Sequence, residues 1–250
     1  MTNYRSAVRG VILAGGLGTR LEPMSRVVNK HLMDVYDRPM ISYALDTMRA
    51  SGIDDVVIVT TEDSFTAFRK VLGDVEDMRV RYVPHGDRPG VAGALASAEQ
   101  ELLGCRMLVL LGDTIFQQPL RNATESFLDG AYPAQVMLCP VLEHRVSAYG
   151  IATMDDGRVV DVVEKPRHSE SVLAVAGCYW YDGSVFDRIR GLRPSARGEL
   201  EISEVNALYA REGKLAHRRL SGWIADAGTP AGKLRAGLLV ALEKGVALQL

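Results

Sequence analysis

This chain lacks most of what would tie it to a membrane, a nucleic-acid polymer or an oxidising compartment. Its cysteines number only three in 250 residues, Cys105, Cys139 and Cys178, an odd count spread far apart. They read as small core residues in a reducing compartment rather than as a disulfide framework. Aromatic residues make up 6%, and 29 basic against 31 acidic side chains leave a formal net charge of −2. So even a balance gives no general basic face for DNA or RNA, and any anion site must be local. Apolar runs are short: Met107-Leu-Val-Leu-Leu111 is strand-sized, far below a membrane span. Arg5 and Arg9 near the start are not followed by an apolar stretch of signal-peptide length, so no secretory signal is read and the cytoplasm is the expected location. No linker, low-complexity segment or hexapeptide repeat divides the chain.

Against these absences, the run Val11-Ile-Leu-Ala-Gly15-Gly16-Leu-Gly18-Thr19-Arg20-Leu21-Glu-Pro23, followed by Lys30, stands out. A short apolar strand enters a glycine turn whose backbone N–H groups can converge on an anion. Arg20 and Lys30 add mobile positive charge, so the segment reads as a nucleotide-phosphate cradle. It is not a Walker A loop, because no Gly-Lys-Ser/Thr closes it. Nor is it the dinucleotide fingerprint, since the third glycine and an acidic ribose partner are both missing, which sets aside a dinucleotide-dependent oxidoreductase.

Residues 11–14, 56–60 and 107–111 read as buried parallel strands, alternating with helices at about 39–51, 63–73 and 91–104. That alternation predicts a Rossmann-like doubly wound, mostly parallel α/β sheet. After residue 130 shorter strands follow at 134–141, 150–154, 159–164 and 175–181, with Asp155-Asp156-Gly157 as a hairpin turn, and a helix at 230–246. The expected organisation is one domain over residues 1–250, a nucleotide-binding half (about 1–130) with a mixed second half (about 131–250) lying against it to complete a cleft.

The glycine segment, continued by Lys30-His-Leu-Met-Asp-Val35-Tyr36-Asp37-Arg38-Pro39-Met40-Ile41, resembles the signature of sugar-1-phosphate nucleotidyltransferases, and within them the thymidylyltransferases. Matching segments recur in order as far as Asp226-Ala-Gly228-Thr229, covering nearly the whole chain. The resemblance implies nucleotide binding at Leu13, Ala14, Gly15, Gly16, Gly18 and Thr19, with Arg20 and Lys30 on the triphosphate. Leu110-Leu-Gly112-Asp113 matches a metal-binding motif, although an aspartate beyond a strand is by itself also a turn or cap residue. Asp226 would be the second carboxylate, and two carboxylates with phosphate oxygens and water suit Mg2+.

By the same resemblance Glu164 holds sugar hydroxyls, while Lys165 and Arg197 clamp the sugar phosphate. Tyr149, Gly150, Gly177 and Trp223 line the sugar pocket, with Trp223 one residue further from Asp226 than the family pattern has it. Glu199 to Glu204 also read as the acidic first turn of a helix. Gly90 and His85 fall at the base-reading positions, but the family carries a glutamine where His85 stands, and an imidazole cannot reproduce an amide's paired donor and acceptor.

What the resemblance implies is Mg2+-dependent transfer of a nucleotidyl group from dTTP, with UTP next, to glucose-1-phosphate, releasing pyrophosphate. Another base (CTP, ATP or GTP) or another sugar- or cyclitol-1-phosphate is the alternative, and a non-catalytic sugar-nucleotide sensor is a remote one. The partners are the two small substrates, with no nucleic-acid polymer and no membrane. Longer relatives continue past Leu250 into helices used for packing and feedback, so such inhibition is expected to be absent or reorganised and a homo-oligomer, left open, to use another surface.

Overall fold

The structure, a computed structural model, describes residues 8–247; Arg5 and Leu250 lie outside them. In chain order the first part contains β1 (Val8–Leu13), the small pair β2 (Asp34–Val35) and β3 (Arg38–Pro39), α1 (Met40–Ala50), β4 (Asp55–Thr60), α2 (Phe65–Leu72), β5 (Arg79–Pro84), α3 (Val91–Ser97), β6 (Arg106–Leu111), β7 (Thr114–Phe116) and α4 (Arg121–Asp129). The remainder contains β8 (Ala134–Pro140), β9 (Gly150–Asp155), β10 (Arg158–Glu164), β11 (Leu173–Tyr181), α5 (Val185–Gly191), α6 (Ile202–Arg211), β12 (Leu215–Arg219), β13 (Ile224–Asp226) and α7 (Pro230–Glu243). No helix among the described residues is long and apolar enough to cross a membrane.

Strand alternation divides the core in two. Val11 and Leu13, Val57 and Val59, Met107 and Val109 face one apolar layer, which α3, α5 and α6 complete. Their sequence neighbours Ile12, Val56, Ile58, Leu108 and Leu110 face the opposite layer, covered by α1, α2 and α4. A strand buried on both faces needs apolar residues at successive positions, which is why these runs read as continuous in the sequence. Helix α1 presents Ile41, Ala44, Leu45 and Met48 to the sheet at helical spacing. Its other side, with Met40 and Tyr43, joins Ile115, Ala225, Ala236 and Val240 in a third, smaller core.

The winding places the crevice. Strands β1, β4 and β5 step outward in parallel, then the chain returns past β1 to β6, giving the order β6-β1-β4-β5. The reversal lies between β1 and β6, so the loops that leave their carboxyl ends flank a ligand crevice.

The second half does not lie against this sheet as a separate layer; it extends it. Strand β11 runs antiparallel to β6, pairing Cys178–Tyr181 with Met107–Leu110, and connects onward to β9, β10 and β8. The sheet is therefore continuous and mixed, because Val175–Tyr181 is apolar on both faces and suits an interior strand. Between β9 and β10 the two turn residues Asp156 and Gly157 take φ of 42° and 72°, the geometry that matches strand twist in a tight hairpin. Two helical expectations are shortened: α3 stops at Ser97 before a 3-10 turn over Glu99–Leu102, and α7 ends at Glu243.

Helix α3 packs so tightly on the loop before it that a Cβ at Gly93 would lie 2.0 Å from the Arg88 carbonyl oxygen. Gly93→Ala is expected to lower thermal stability by about 2 kcal/mol, the cost of overpacking. Gly183→Ala, where nothing lies within 4 Å, is the control and should stay within about 0.5 kcal/mol in the same calorimetric measurement.

Candidate active site

The loop leaving β1 forms the floor of the crevice. Ala14 is locked at both ends: its N–H donates to the Val59 carbonyl at 2.7 Å, and its carbonyl accepts from Thr60 Oγ1 at 3.0 Å and Asn29 Nδ2 at 3.1 Å. Gly15 packs against the His85 ring, and Lys30 passes close to Gly16, its Nζ 3.9 Å from where a Gly16 Cβ would stand. Gly18, at φ 67°, turns the chain into a single 3-10 turn, Thr19–Leu21, that leaves Thr19 and Arg20 exposed. The predicted cradle residues are thus together.

Across the crevice, Gly112-Asp113 follows β6, and the two-stranded ribbon β7–β13 sets Asp226 opposite Thr114. The Ala227 N–H donates to the Asp113 carbonyl at 2.8 Å, and the Gly228 N–H to Asp226 Oδ1 at 2.8 Å. A Cβ built on Gly228 would stand 2.7 Å from Asp113 Oδ2, 3.0 Å from Asp226 Oδ1 and 3.1 Å from Arg20 Nη2. The missing side chain therefore keeps open a space bounded by two carboxylates and a guanidinium. Lys30, only 8% exposed, forms an ion pair with Asp113 at its edge.

The two carboxylates are tuned in opposite directions. Burial is the largest single influence on Asp113 and would raise its pKa, but the Lys30 charge and hydrogen bond, with lesser help from His31 and Arg20, together hold it below the ordinary carboxylate range. Asp226 has no such partner; burial first, and the Asp113 charge second, push it up. His31, next to Lys30, is almost fully buried, and desolvation followed by the Lys30 charge lowers its pKa to about 3, so the ring is neutral.

The residues expected to meet the sugar form a second cluster. Glu164 ends β10, receives a hydrogen bond from the Ser203 hydroxyl, lies 3.2 Å from Lys165 Nζ and 3.8 Å from Arg197 Nη2. Lys165 takes φ 44°, and its N–H donates to the Tyr149 carbonyl at 2.9 Å, so the two strand ends are stitched together. A Cβ on Gly150 would meet Ser203 Oγ at 2.4 Å. Arg197 is held by Glu199 at 2.6 Å and Glu201 at 3.0 Å. Glu199 and Glu201 are outside the helix expected of them: α6 starts at Ile202, because Glu201 spends its carboxylate on Ser195 and Arg197, leaving only Glu204 in the first turn.

Gly177 joins the clusters. It sits where the β11–β8 register breaks, at φ 67°, with its Cβ position 2.9 Å from Thr114 Oγ1, one residue beyond Asp113. Buried Tyr179 has its pKa raised by desolvation first, with both the Glu164 and Asp113 carboxylates adding to the effect. Trp223 is tied through its backbone N–H to Gln117 Oε1 at 2.9 Å and packs on the third core. At the β5 end, the His85 N–H donates to the Thr60 carbonyl, and its Nε2 is buried with no partner. Gly90 approaches Leu200 closely, which pins this loop to the segment before α6. Asn29, His31 and Ser203 were not assigned from the sequence; their adjacency to Lys30 and to the Arg197 segment was the only signal.

These shifts predict opposite effects of removing each charge. A carboxyl whose folded pKa is raised costs no stability below its unfolded value near 3.8, and its full penalty applies above the raised folded value. Asp226→Asn is therefore expected to raise the thermal midpoint of the metal-free protein at pH 7. Asp113, held low, contributes stability above 3.8 that is lost as pH falls through its folded value. Asp113→Asn leaves the buried Lys30 unpaired and should cost about 3 kcal/mol in the same scan; equal effects of the two variants would contradict the assignment.

The chain matches the family model for nucleotidyl transferases over residues 9–239. It is 39% identical to the glucose-1-phosphate thymidylyltransferase of Mycolicibacterium smegmatis over 232 residues, covering 89% of this chain and 78% of that one. The enzyme of the same name from Neisseria gonorrhoeae is 35% identical with the same coverage. A Bacillus anthracis protein assigned as a glucose-1-phosphate thymidylyltransferase, solved in complex with a sucrose, superposes with a TM-score of 0.88 at 35% identity, covering 98% of this chain and 97% of the other. A UDP-glucose pyrophosphorylase complexed with UDP-glucose shares the fold at 22% identity and a TM-score of 0.83. The resemblance read in the sequence is thereby borne out: the chain belongs to the nucleotidyl transferase family and is a nucleotidyltransferase.

Proposed function

We propose that this nucleotidyltransferase moves a nucleotidyl group from dTTP, with UTP the next candidate, to glucose-1-phosphate, releasing pyrophosphate. The observation that carries the reading is the open space at Gly228, where Asp113, Asp226 and Arg20 converge beside Lys30. The names of the relatives support the choice of dTTP and glucose-1-phosphate.

The residues fit a divalent ion of the Mg2+ kind. Among the described residues no group of three or more His, Cys, Asp or Glu is gathered as a closed metal cage. Two carboxylates around an open space suit Mg2+, which binds through one or two carboxylates plus phosphate oxygens and keeps several waters. Asp113 and Asp226 would hold it, and when bound it supplies charge neutralisation at the α-phosphate.

The phosphate of the acceptor is already ionised near neutral pH, so no side chain has to remove a proton from it. What remains is positioning and electrostatics. Backbone N–H groups of the Gly15–Gly16 turn meet phosphate oxygens, with Lys30 beneath them. Arg20, exposed on its single turn, reaches the charge that builds on the departing pyrophosphate. Lys165 and Arg197 orient the incoming phosphate, while Glu164, fixed by Ser203, accepts from sugar hydroxyls. Tyr149, Gly150, Gly177 and Trp223 bound the sugar, and His85 and Gly90 meet the base.

Arg20→Ala and Asp113→Ala are each expected to lower turnover by about a hundredfold or more, the scale of losing one charge-stabilising group. Near-normal rates from folded variants would remove those roles. Pyrophosphate release measured with Mg2+ for dTTP, UTP, CTP, ATP and GTP against a panel of sugar-1-phosphates should be highest for dTTP with glucose-1-phosphate. A maximum at another pair would assign the His85 and Trp223 departures to specificity, and no release at all would favour a sensor.

A further inference from the structure

One buried, polar side chain at the centre of the site has no role in the reaction as described: His31, 2% exposed, between Lys30 and the turn that carries Asp113. We infer that His31 is a positioning residue, whose imidazole fixes the Gly112–Asp113 turn against the β1 loop and so holds Asp113 and Lys30 in register. The inference rests on Asp113 serving as a metal carboxylate.

The hydrogen-bond network determines how the ring is held. Asn29 Nδ2 points at the Ala14 carbonyl, 3.1 Å away, which can only accept. Its Oδ1 must then be the acceptor, and it receives both the His31 backbone N–H at 3.0 Å and ring Nδ1 at 2.8 Å. Ring Nδ1 therefore carries the proton. Through Asn29, the ring is anchored to the Ala14 carbonyl and to Thr60 Oγ1 at 3.2 Å, the same groups that lock the phosphate loop.

The far edge of the ring presses on the other wall. A Cβ on Gly112 would lie 2.8 Å from His31 Cδ2 and 3.2 Å from Nε2. The Gly112 N–H in turn donates to the Leu13 carbonyl at 3.0 Å. The turn before Asp113 is thus clamped between β1 and the imidazole, while the residue preceding His31 in the chain supplies Asp113's ion-pair partner. One ring fills the gap between the two walls of the crevice, with a fixed bond on one side and close contact on the other. Interiors packed at this density transmit a lost contact as a shift of the neighbouring groups.

The test compares His31→Ala, His31→Asn and Asp113→Asn with the unaltered protein. Steady-state rates are measured while Mg2+ and each substrate are varied, and Mn2+ binding to the resting protein is read by electron paramagnetic resonance. In His31→Ala the half-saturating Mg2+ concentration is expected to rise about tenfold, the scale seen when a partner of a metal ligand is removed. Mn2+ affinity should weaken in parallel, while KM for the sugar phosphate stays unchanged, because that cluster hangs on Ser203 and Tyr149. His31→Asn retains a donor near the Nδ1 position but vacates the space at Gly112; it should show the same direction of change and supplies the readout if the alanine variant does not fold. Wild-type metal dependence in a folded variant overturns the inference even where kcat falls, since loss of active protein lowers rate without moving half-saturation. If Asp113→Asn itself keeps wild-type Mn2+ binding, the metal-carboxylate reading is what fails; if only the His31 variants keep it, the positioning role alone is lost.

Discussion

Asp226 is harder to ionise because it is buried and because the Asp113 charge stands near it, and the Gly228 N–H, Arg20 and Lys30 offset that effect without cancelling it. Two carboxylates drawn from positions over a hundred residues apart do not meet by accident in a low-dielectric site, where like charges repel strongly. The fold makes them meet by pairing β7 with β13, so that Asp226 is opposite Thr114 and the Ala227 N–H is bonded to Asp113 itself. Under the proposed function, that unfavourable charge is what a divalent cation would relieve on binding.

Cations in the site are held in two different ways, and the difference follows from their surroundings. Lys30 is buried on a 3-10 turn capped by Asn29 and has one fixed partner. Arg20 stands exposed on its single turn, its Nη2 3.1 Å from where a Gly228 Cβ would stand. Arg197 lies between these extremes, half-exposed and forked among Glu199, Glu201 and Glu164. A planar guanidinium with several acidic neighbours keeps its orientation while its outer N–H groups remain available.

How far the sequence could be read depended on what each segment buries. Strands β1, β4 and β6 are apolar on both faces, and α1 carries a clean helical stripe, so their places were legible. Strand β5 was not read, because Arg79 and Arg81 break its apolar run; Arg81 belongs there since Asp55 and Glu101 neutralise it across the sheet edge. The three-residue strands β7 and β13 are too short for any periodicity, yet they position both site carboxylates. The candidate site residues were legible as motifs, but the groups that support them were not. Ser203 looks like any helix-start serine until it is seen bonded to Glu164, and His31 looks like a lone core histidine until its two walls are visible. Such supporting contacts are made across the sheet, between segments whose spacing in the chain carries no pattern.

The insertion of β11 beside β6 has the largest consequence for the proposed mechanism, because it makes the first and second halves of the chain parts of one hydrogen-bonded sheet. An in-line displacement needs the attacking oxygen and the α-phosphorus held within a few tenths of an ångström of alignment, and a hinge between two layers would work against that. Here Gly177 of β11 rests on Thr114, next to Asp113, and the same strand carries Tyr179, whose hydroxyl feels both the Glu164 and the Asp113 carboxylates. Relative motion of the halves would break strand pairing, so alignment is built into the sheet. The loop after Gly16 is built differently: it exposes Leu17, Met24 and Val27 and contains only single turns of 3-10 helix. The proposed transfer asks for fixed geometry at the reacting atoms, and one continuous sheet supplies it more directly than two packed layers would.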